Sequence, residues 1–326
     1  MQDLISVVVP VYNCAPYLDA CLQSLEAQTL QNWEAVLVDD GSTDGSAALC
    51  DAWAGKDARF RVLHQKNAGV SAARNAGIQA CRGSYLAFVD ADDWVEPEFL
   101  HRLYDLIRKA DMAVCCVYDQ SDWNEKVQSG IVPVQTLRST PSLYANPVFT
   151  NYLYNKLYRM SLVRHIRFPV QVRRCEDAYY VQDCLLACRS IAVCTDKLYH
   201  YELHEGSAIH RFYAGVCDDE LPLMQRQYDL FHPAALSAGE ETAYRIWEFG
   251  KILAVCTYIR QYGRSREETD TYLRRWITAP PVWEALRRCP AALGKKARLL
   301  SFLRFLGWKE GCIRLLYRLG RPAGQS

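Results

Sequence analysis

The sequence lacks the features that mark several broad classes of protein. No uninterrupted apolar run reaches the roughly 18 residues that a membrane-spanning helix needs, so no such helix is expected. The 38 Lys and Arg residues and the 37 Asp and Glu residues leave a net charge of +1, whereas a protein built mainly to bind nucleic acid is usually more basic. There is no internal repeat and no low-complexity tract, which argues against a repeat array.

Cysteine is abundant, but the 14 residues form no pattern typical of a metal site or a disulfide framework. They are scattered, with no Cys-x-x-Cys pair and no finger-like spacing. Residues 1–3 run directly into an apolar, strand-like stretch, so no secretory leader is expected. Reduced thiols in the cytoplasm are the favoured interpretation.

What the chain does contain is enough apolar material for a packed core, since half of its 326 residues are hydrophobic. Short β-branched runs alternate with segments of helical spacing, which is typical of a doubly wound α/β fold. The predicted strands are 5–11, 34–38, 61–64, 85–89, 113–117, 131–134 and 192–201, and the predicted helices are 15–27, 44–54, 71–81 and 179–188. We expect a Rossmann-like, mostly parallel sheet with helices on both faces over residues 1–210, followed by a mainly helical region over residues 211–326.

Acidic side chains follow two of the predicted strands. Residues 39–45 read Asp-Asp-Gly-Ser-Thr-Asp-Gly, and residues 90–93 read Asp-Ala-Asp-Asp. The carboxyl ends of parallel strands meet at one edge of a sheet, where ligands bind. Adjacent like charges cost energy unless a ligand, a cation or hydrogen-bond donors compensate them. The two clusters therefore predict a binding site at this edge.

The second acidic cluster suits a divalent cation. Asp90 and Asp92 are two positions apart, so on extended backbone they would point the same way and could face one ion. Hard cations such as Mn²⁺ and Mg²⁺ prefer oxygen ligands. The local sequence leaves open the alternative that Asp93 caps a turn and the other two carboxylates are solvated.

Two further segments place charged residues near predicted helix starts. Residues 67–77 put a glycine-containing loop before a helix and Arg74 near its first turns; helix N-termini and arginine both favour phosphate. Residues 173–180 put Glu176 and Asp177 at the opening of an amphipathic helix. Arg74 could equally be exposed on a helix face. The acidic pair could do no more than interact favourably with the helix dipole, or it could supply a general base.

Together these motifs resemble glycosyltransferase family 2, of the bacterial cell-surface polysaccharide type, whose fold is the A-type nucleotide-diphospho-sugar transferase fold. The resemblance spans roughly residues 4–205. It rests on an ordered set of five segments, which are residues 8–13, 38–44, 67–77, 88–93 and the pair Glu176-Asp177. A chance match to all five in this order is implausible.

The resemblance implies an inverting, hexosyltransferase-type enzyme that takes a sugar from a nucleotide-diphospho-sugar donor. The resemblance to the family, and not any spacing of residues, implies UDP as the preferred nucleotide. Carried over by motif position, Pro10, Tyr12 and Asp40 would line the nucleobase pocket, with Asp40 accepting a base N–H. Arg74 would contact the diphosphate.

The same resemblance implies a dependence on Mn²⁺ or Mg²⁺, bound through a D-x-D motif. Asp90 would hold the ribose or the ion, and Asp92 would ligate the ion. Asp177 would be the catalytic base, and Glu176 would shape the acceptor site. A single base suffices for this chemistry, so no Ser–His or Cys–His pair is needed.

A hydroxyl of a glycan or a lipid-linked glycan is the implied acceptor, but the residues that would contact it are weakly marked. The tyrosine-rich stretch 152–158 could be a platform for the acceptor or part of the core. His200 or His204 could be a further ion ligand, although a surface or hydrogen-bonded histidine is the favoured interpretation.

The basic segment 295–321 carries eight basic side chains and one acidic side chain among many apolar residues. This pattern is typical of an amphipathic helix at a membrane interface, where anionic lipids add attraction. The alternative is a helix pair that packs on the protein itself. A lipid-linked acceptor favours peripheral contact with the inner face of the cell membrane.

Two other classes of function fit the sequence less well. A non-catalytic nucleotide- or glycan-binding member of a polysaccharide assembly complex would not need Asp40, Asp90, Asp92 and Asp177 together. A nucleotidyltransferase on a similar sheet would usually show a Gly- and Arg-rich loop after the first strand. This chain has Tyr-Asn-Cys-Ala-Pro at residues 12–16 instead.

Overall fold

The computed structural model describes residues 3–118, 124, 127–140, 143, 145–203, 213–231, 237–288, 311 and 315. The chain divides into two compact units. The α/β unit comprises Met1–Leu137 and Asn146–Glu202, and the helical unit comprises Arg138–Ala145 and Leu203–Ser326. The domain boundary predicted at residues 210–211 lies outside the described residues.

The first half of the α/β unit is a parallel sheet with helical connections. Its strands are β1 (Ile5–Val11), β2 (Trp33–Asp39), β3 (Phe60–His64) and β4 (Tyr85–Phe88), and its helices are α1 (Ala15–Glu26), α2 (Ser46–Lys56) and α3 (Val70–Ala80). The strands lie in the order β3-β2-β1-β4, and each neighbouring pair is parallel. The carboxyl ends of all four strands therefore lie at one edge of the sheet.

Local sequence accounts for these elements. β1 and β2 are buried almost throughout, which fits their continuous apolar and β-branched sequence. α1 buries four apolar residues at helical spacing, which are Leu18, Cys21, Leu22 and Leu25. The predicted α/β architecture is confirmed in this half of the sheet.

The second half of the sheet mixes strand directions. Its strands are β5 (Trp94–Val95), β6 (Met112–Val117), β7 (Gly130–Pro133), β8 (Lys156–Arg159) and β9 (Ser190–His200). β8 lies antiparallel between β4 and β6, while β6 and β9 are parallel. β5 and β7 both pair antiparallel with β9. Parallel pairing thus dominates the first half of the sheet and not the second.

Within the described ranges, five helices accompany these strands. They are α4 (Phe99–Ile107), α5 (Val134–Ser139), α6 (Pro147–Thr150), α7 (Met160–Val163) and α8 (Glu176–Ala187). The helical spacing predicted a helix from residue 179, and the structure begins α8 at Glu176, where the sequence placed the opening acidic pair. The acidic pair therefore lies in its first turn.

The helical unit contains α9 (Val216–Phe231), α10 (Ala238–Tyr262), α11 (Arg266–Thr278) and α12 (Pro280–Arg287). α10 begins with a capping box, in which Ser237 and Glu240 exchange hydrogen bonds. Trp276 of α11 lies in the core of this unit, together with Ile252, Val255, Tyr258 and Ile259 of α10. The predicted helical C-terminal region is confirmed for the described residues.

The state of the cysteines and the hydropathy of the helices can be compared with what the composition suggested. The described cysteines are free thiols, and all of them except Cys175 are buried. Within the described ranges, no helix is both long enough and apolar enough to cross a membrane. Apart from Gly311 and Leu315, the basic segment 295–321 lies outside the described residues.

Candidate active site

The loops that follow β1 and β2 are joined by hydrogen bonds. Asn13, in the left-handed region at φ 49°, accepts a hydrogen bond from Thr43 N at 2.8 Å, and its own N–H donates to Ser42 Oγ at 3.2 Å. Tyr12 lies beside this junction and is 53% exposed, and Pro10 is partly exposed near the end of β1. Pro10 and Tyr12, two of the three residues predicted for a nucleobase pocket, thus lie at the carboxyl edge of the sheet.

Asp40 anchors the loop that leads into α3. Its carboxylate is buried and accepts hydrogen bonds from Gln65 Nε2 at 2.7 Å, Ala68 N at 2.8 Å and Gly69 N at 2.8 Å. These bonds hold the loop against the end of β2. The predicted contact between Asp40 and a nucleobase stays a prediction.

The neighbouring Asp39 is compensated by different donors. Its Oδ1 accepts from Ser42 N and its Oδ2 bonds to His64 Nδ1, both at 3.0 Å, while His64 Nε2 lies 3.0 Å from Asp51 Oδ1. Burial acts to raise the pKa of Asp39, but the hydrogen bonds from His64 and Ser42 outweigh it and hold that pKa below its usual value. Protein donors therefore compensate the two adjacent carboxylates.

The acidic motif after β4 forms a turn, with Asp93 N donating to Asp90 O at 3.0 Å. The sequence-based expectation of extended backbone over residues 90–92 is therefore wrong. Asp93 is 2% exposed and accepts hydrogen bonds from the Tyr199 hydroxyl at 2.6 Å and from Glu202 N at 2.9 Å. Burial, with the nearby charge of Asp90, raises the pKa of Asp93 to about 8.

One guanidinium connects this acidic motif to the start of α8. Arg74 of α3 donates from Nη2 to Asp90 Oδ1 at 2.9 Å. From Nη1 it donates to Glu176 Oε1 at 2.9 Å and to Asp177 Oδ1 at 2.7 Å. The Arg74 side chain is 4% exposed, so the alternative of an arginine exposed on a helix face is wrong. Its predicted contact with a diphosphate stays a prediction.

Asp177 lies in the first turn of α8, close behind Cys175, whose backbone is left-handed at φ 61°. Burial raises the pKa of Asp177 well above its usual value. Arg74 opposes that shift, whereas Glu176 and Asp90 add to it. A carboxylate with a raised pKa takes up a proton more readily than an ordinary aspartate does, which suits a general base.

Comparison with known proteins identifies the family. The family model named Glycosyl transferase family 2 matches residues 6–167. The Bacillus subtilis (strain 168) protein named "Putative glycosyltransferase EpsH" is 33% identical over 232 residues, which cover 68% of this chain and 67% of that protein. The chain belongs to glycosyltransferase family 2. It is a glycosyltransferase, as the ordered motifs predicted.

Solved structures confirm the fold of this glycosyltransferase. The structure of S. aureus TarS 1–349 in complex with UDP-GlcNAc has a TM-score of 0.71 at 20% identity, covering 98% of this chain and 93% of that one. The mannosyltransferase PcManGT from Pyrobaculum calidifontis, in complex with GDP-Man and Mn²⁺, has a TM-score of 0.57 at 14% identity, covering 99% and 89%. The predicted A-type fold is confirmed.

In this glycosyltransferase the tyrosine-rich stretch belongs largely to the core. Tyr154 and Tyr158 are buried, and Lys156 is completely buried between them. Lys156 Nζ donates to Val148 O at 2.6 Å and to Asn155 Oδ1 at 2.7 Å, and burial lowers its pKa to about 7. The core interpretation of this stretch therefore holds for these residues.

A tyrosine ladder adjoins the acidic motif of the enzyme. Tyr154 stacks on Tyr199 at 4.3 Å between ring centroids and lies nearly parallel to Tyr152 and Tyr201. Tyr199 also accepts a hydrogen bond from Asp90 N at 3.1 Å and donates one to Asp93. The sequence offered no signal for this role, because Tyr199 lies within an ordinary strand pattern.

His200 has the hydrogen-bonded role that the sequence favoured. Its Nε2 lies 2.8 Å from Glu96 Oε1, and its ring stacks on Trp94 and Tyr118. His204, the other histidine considered as an ion ligand, lies outside the described residues. Among the residues that the structure describes, no group of three or more His, Cys, Asp or Glu side chains is arranged to hold a metal ion.

Proposed function

We propose that this enzyme moves a sugar, with inversion, from a UDP-sugar to a hydroxyl of a glycan or lipid-linked glycan in cell-surface polysaccharide synthesis. One observation carries the mechanism. A single buried guanidinium holds the base candidate Asp177 on one terminal nitrogen and Asp90 of the acidic motif on the other. The complexes of TarS with UDP-GlcNAc and of PcManGT with GDP-Man support a nucleotide-sugar donor.

Asp177 is the general base of this proposal. It accepts the proton of the acceptor hydroxyl while the hydroxyl oxygen forms a bond to the anomeric carbon. The bond from that carbon to the diphosphate breaks, and its electron pair leaves with the nucleoside diphosphate. A single displacement of this kind inverts the anomeric centre and needs no enzyme nucleophile. The raised pKa of Asp177 supports the role.

The nucleotide lies at the carboxyl edge of β1 and β2 in this proposal. Tyr12 offers an exposed aromatic ring, Pro10 is partly exposed beside it, and Asp40 holds the loop that enters α3. Glu176, which shares Arg74 with Asp177, borders the acceptor side. The two substrates thus approach the acidic motif from different elements, and catalysis rests largely on holding them in attack geometry.

The donor set of the acidic motif fits Mn²⁺ or Mg²⁺. Asp90 and Asp92 supply carboxylate oxygens and are both partly exposed. Mg²⁺ in nucleotide sites is commonly held by one or two carboxylates together with substrate phosphates, so two protein ligands suffice. When bound, such an ion neutralises the negative charge that develops on the leaving diphosphate.

A panel of sugar nucleotides tests the donor. We expect UDP-glucose, UDP-galactose or UDP-GlcNAc to raise the Tm in the presence of Mn²⁺ and to do so much less without it, because a ligand that binds only the folded state stabilises it. GDP-mannose serves as the nucleotide control. Stabilisation by GDP-mannose alone would contradict UDP, and no shift with any sugar nucleotide would contradict the donor site.

The Asp177→Asn variant tests the base. We expect it to keep its Tm shift with UDP and Mn²⁺ and to lose about 10²- to 10⁴-fold in transfer, the usual contribution of a positioned base. Asp183→Asn on the same helix is the matched control and should retain transfer. Retained transfer in Asp177→Asn would remove Asp177 from this role.

A further inference from the structure

Arg74 is almost completely enclosed by protein, and its donors are largely engaged. Its two terminal nitrogens donate to Asp90, Glu176 and Asp177, and its side chain is 4% exposed. Its Nε–H is buried and has no hydrogen-bond partner among the described residues. A diphosphate would have to compete with three carboxylates for this guanidinium. The surroundings of Arg74 therefore favour a role among the acidic side chains.

A second set of contacts, through Asn75 and Phe168, also holds α8 against α3. The side chain of Asn75 donates to Phe168 O and accepts from Phe168 N, both at 2.9 Å. Phe168 in turn stacks on Tyr180 of α8, with 4.0 Å between ring centroids. The backbone position of α8 thus has support of its own, and Arg74 acts on the acidic side chains at its start.

We propose that Arg74 is a positioning residue, whose guanidinium holds the carboxylate of Asp177 beside Asp90 and so fixes the base relative to the donor end of the site. This inference rests on the proposed function, in which Asp177 is the base. Three partly buried carboxylates close together repel one another unless a cation lies between them. The planar fork of arginine can engage all three, whereas the ammonium group of lysine is a point charge.

Arg74→Gln and Arg74→Lys test the proposal, because a positioning residue should change kcat and leave the donor KM and the Kd for UDP nearly unchanged. UDP release is measured with the UDP-sugar that gives the largest Tm shift in the panel, with water as the acceptor. We expect Arg74→Gln to lower kcat by about 100-fold, since a misplacement of about 1 Å costs that much. The KM for the donor and the Kd for UDP with Mn²⁺ should change by less than about threefold. Arg74→Lys should fall between wild type and Arg74→Gln.

The double variant Arg74→Gln/Asp177→Asn tests whether Arg74 acts through Asp177. Residues that act as one unit are not additive, so we expect the double variant to be no slower than Asp177→Asn alone. Arg61→Gln is the matched control, because Arg61 pairs with the buried Glu34 at 2.9 Å and lies outside the proposed machinery. It should lower the Tm and leave kcat unchanged.

Two outcomes would overturn the role of Arg74. One is a donor KM raised tenfold or more with kcat unchanged, which would make Arg74 a diphosphate ligand. The other is a double variant in which the two losses in kcat multiply. Urea unfolding without any nucleotide separates this inference from the proposed function. It gives the free energy of unfolding of the wild type, the two single variants and the double variant, and so the coupling between Arg74 and Asp177. Coupling between Arg74 and Asp177 without turnover of any donor contradicts the proposed function alone, whereas absence of coupling contradicts the positioning role alone.

Discussion

The protonation of Asp177 depends on groups that only the folded chain brings together. Burial favours the neutral acid, and Arg74 opposes it from 2.7 Å. Glu176 and Asp90 add to the effect of burial, because a further negative charge beside them is unfavourable. Burial prevails, so the pKa of Asp177 lies well above the ordinary value of 3.8.

The raised pKa predicts the acid side of the pH profile. A base acts only when it is deprotonated, so kcat should fall as the pH is lowered through the raised pKa of Asp177. The fall should therefore begin at a higher pH than an ordinary aspartate would give. The measurement is kcat against pH for wild type and for Asp183→Asn, which should share one profile. A wild-type profile that stays flat down to the range of an ordinary aspartate would contradict the assignment.

At the scale of elements, the loop between β3 and α3 is held closely against the end of β2. Asp40 accepts two of the loop's backbone N–H groups, those of Ala68 and Gly69. Gly41 lies against the same loop at φ 72°, and a Cβ there would come within 2.9 Å of Asn67 N. The loop can approach β2 this closely only because position 41 has no side chain.

Gly41→Ala should therefore be destabilising for two reasons, backbone strain and a steric clash. We expect the free energy of unfolding to fall by about 1–3 kcal/mol or more, and UDP binding to weaken as the loop moves. Gly45→Ala is the matched control, because Gly45 is also left-handed, at φ 99°, but a Cβ at that position would meet nothing within 4 Å. Urea unfolding and titration with UDP measure both effects. Equal losses in the two variants would show that the close approach to the loop is unimportant.

The elements that the sequence did not predict share a physical cause. β8 has only four residues and no alternating pattern, and it is a strand because β4 and β6 each pair with it. The turn at residues 90–93 likewise replaced an expected extended segment. Strand pairing of this kind depends on partners distant in the chain. The turn, in addition to its own local bond, is tied to Tyr199 and Glu202, more than 100 positions away. Periodicity within a short window registers neither kind of contact.

At the scale of the whole molecule, the basic segment 295–321 has a net charge of +7. Leu315, one of its two described residues, packs against the core of the helical unit. Part of this segment thus contacts the protein, as one of the two sequence-based interpretations proposed. Contact of its basic side chains with an anionic membrane surface stays a prediction.

Vesicle binding checks that prediction. We expect the protein to sediment with vesicles that contain phosphatidylglycerol and not with pure phosphatidylcholine, and salt should weaken the binding. Reversing Lys295 and Lys296 to Glu should weaken it by about tenfold or more, since each basic residue near such a surface contributes about 1 kcal/mol. Reversing the exposed pair Arg108 and Lys109 in the α/β unit is the matched control. Equal binding by both double variants would contradict a membrane role for segment 295–321.

The sequence by itself determined the α/β fold, the helical C-terminal region and the family, because apolar periodicity and an ordered set of motifs are local properties of the chain. It also indicated which acidic residues lie at the sheet edge, since each follows a predictable strand. Only the tertiary structure decided what surrounds them. Arg74 meets Asp90 and Asp177 across 16 and 103 positions of sequence, and such contacts depend on how α3, β4 and α8 pack together.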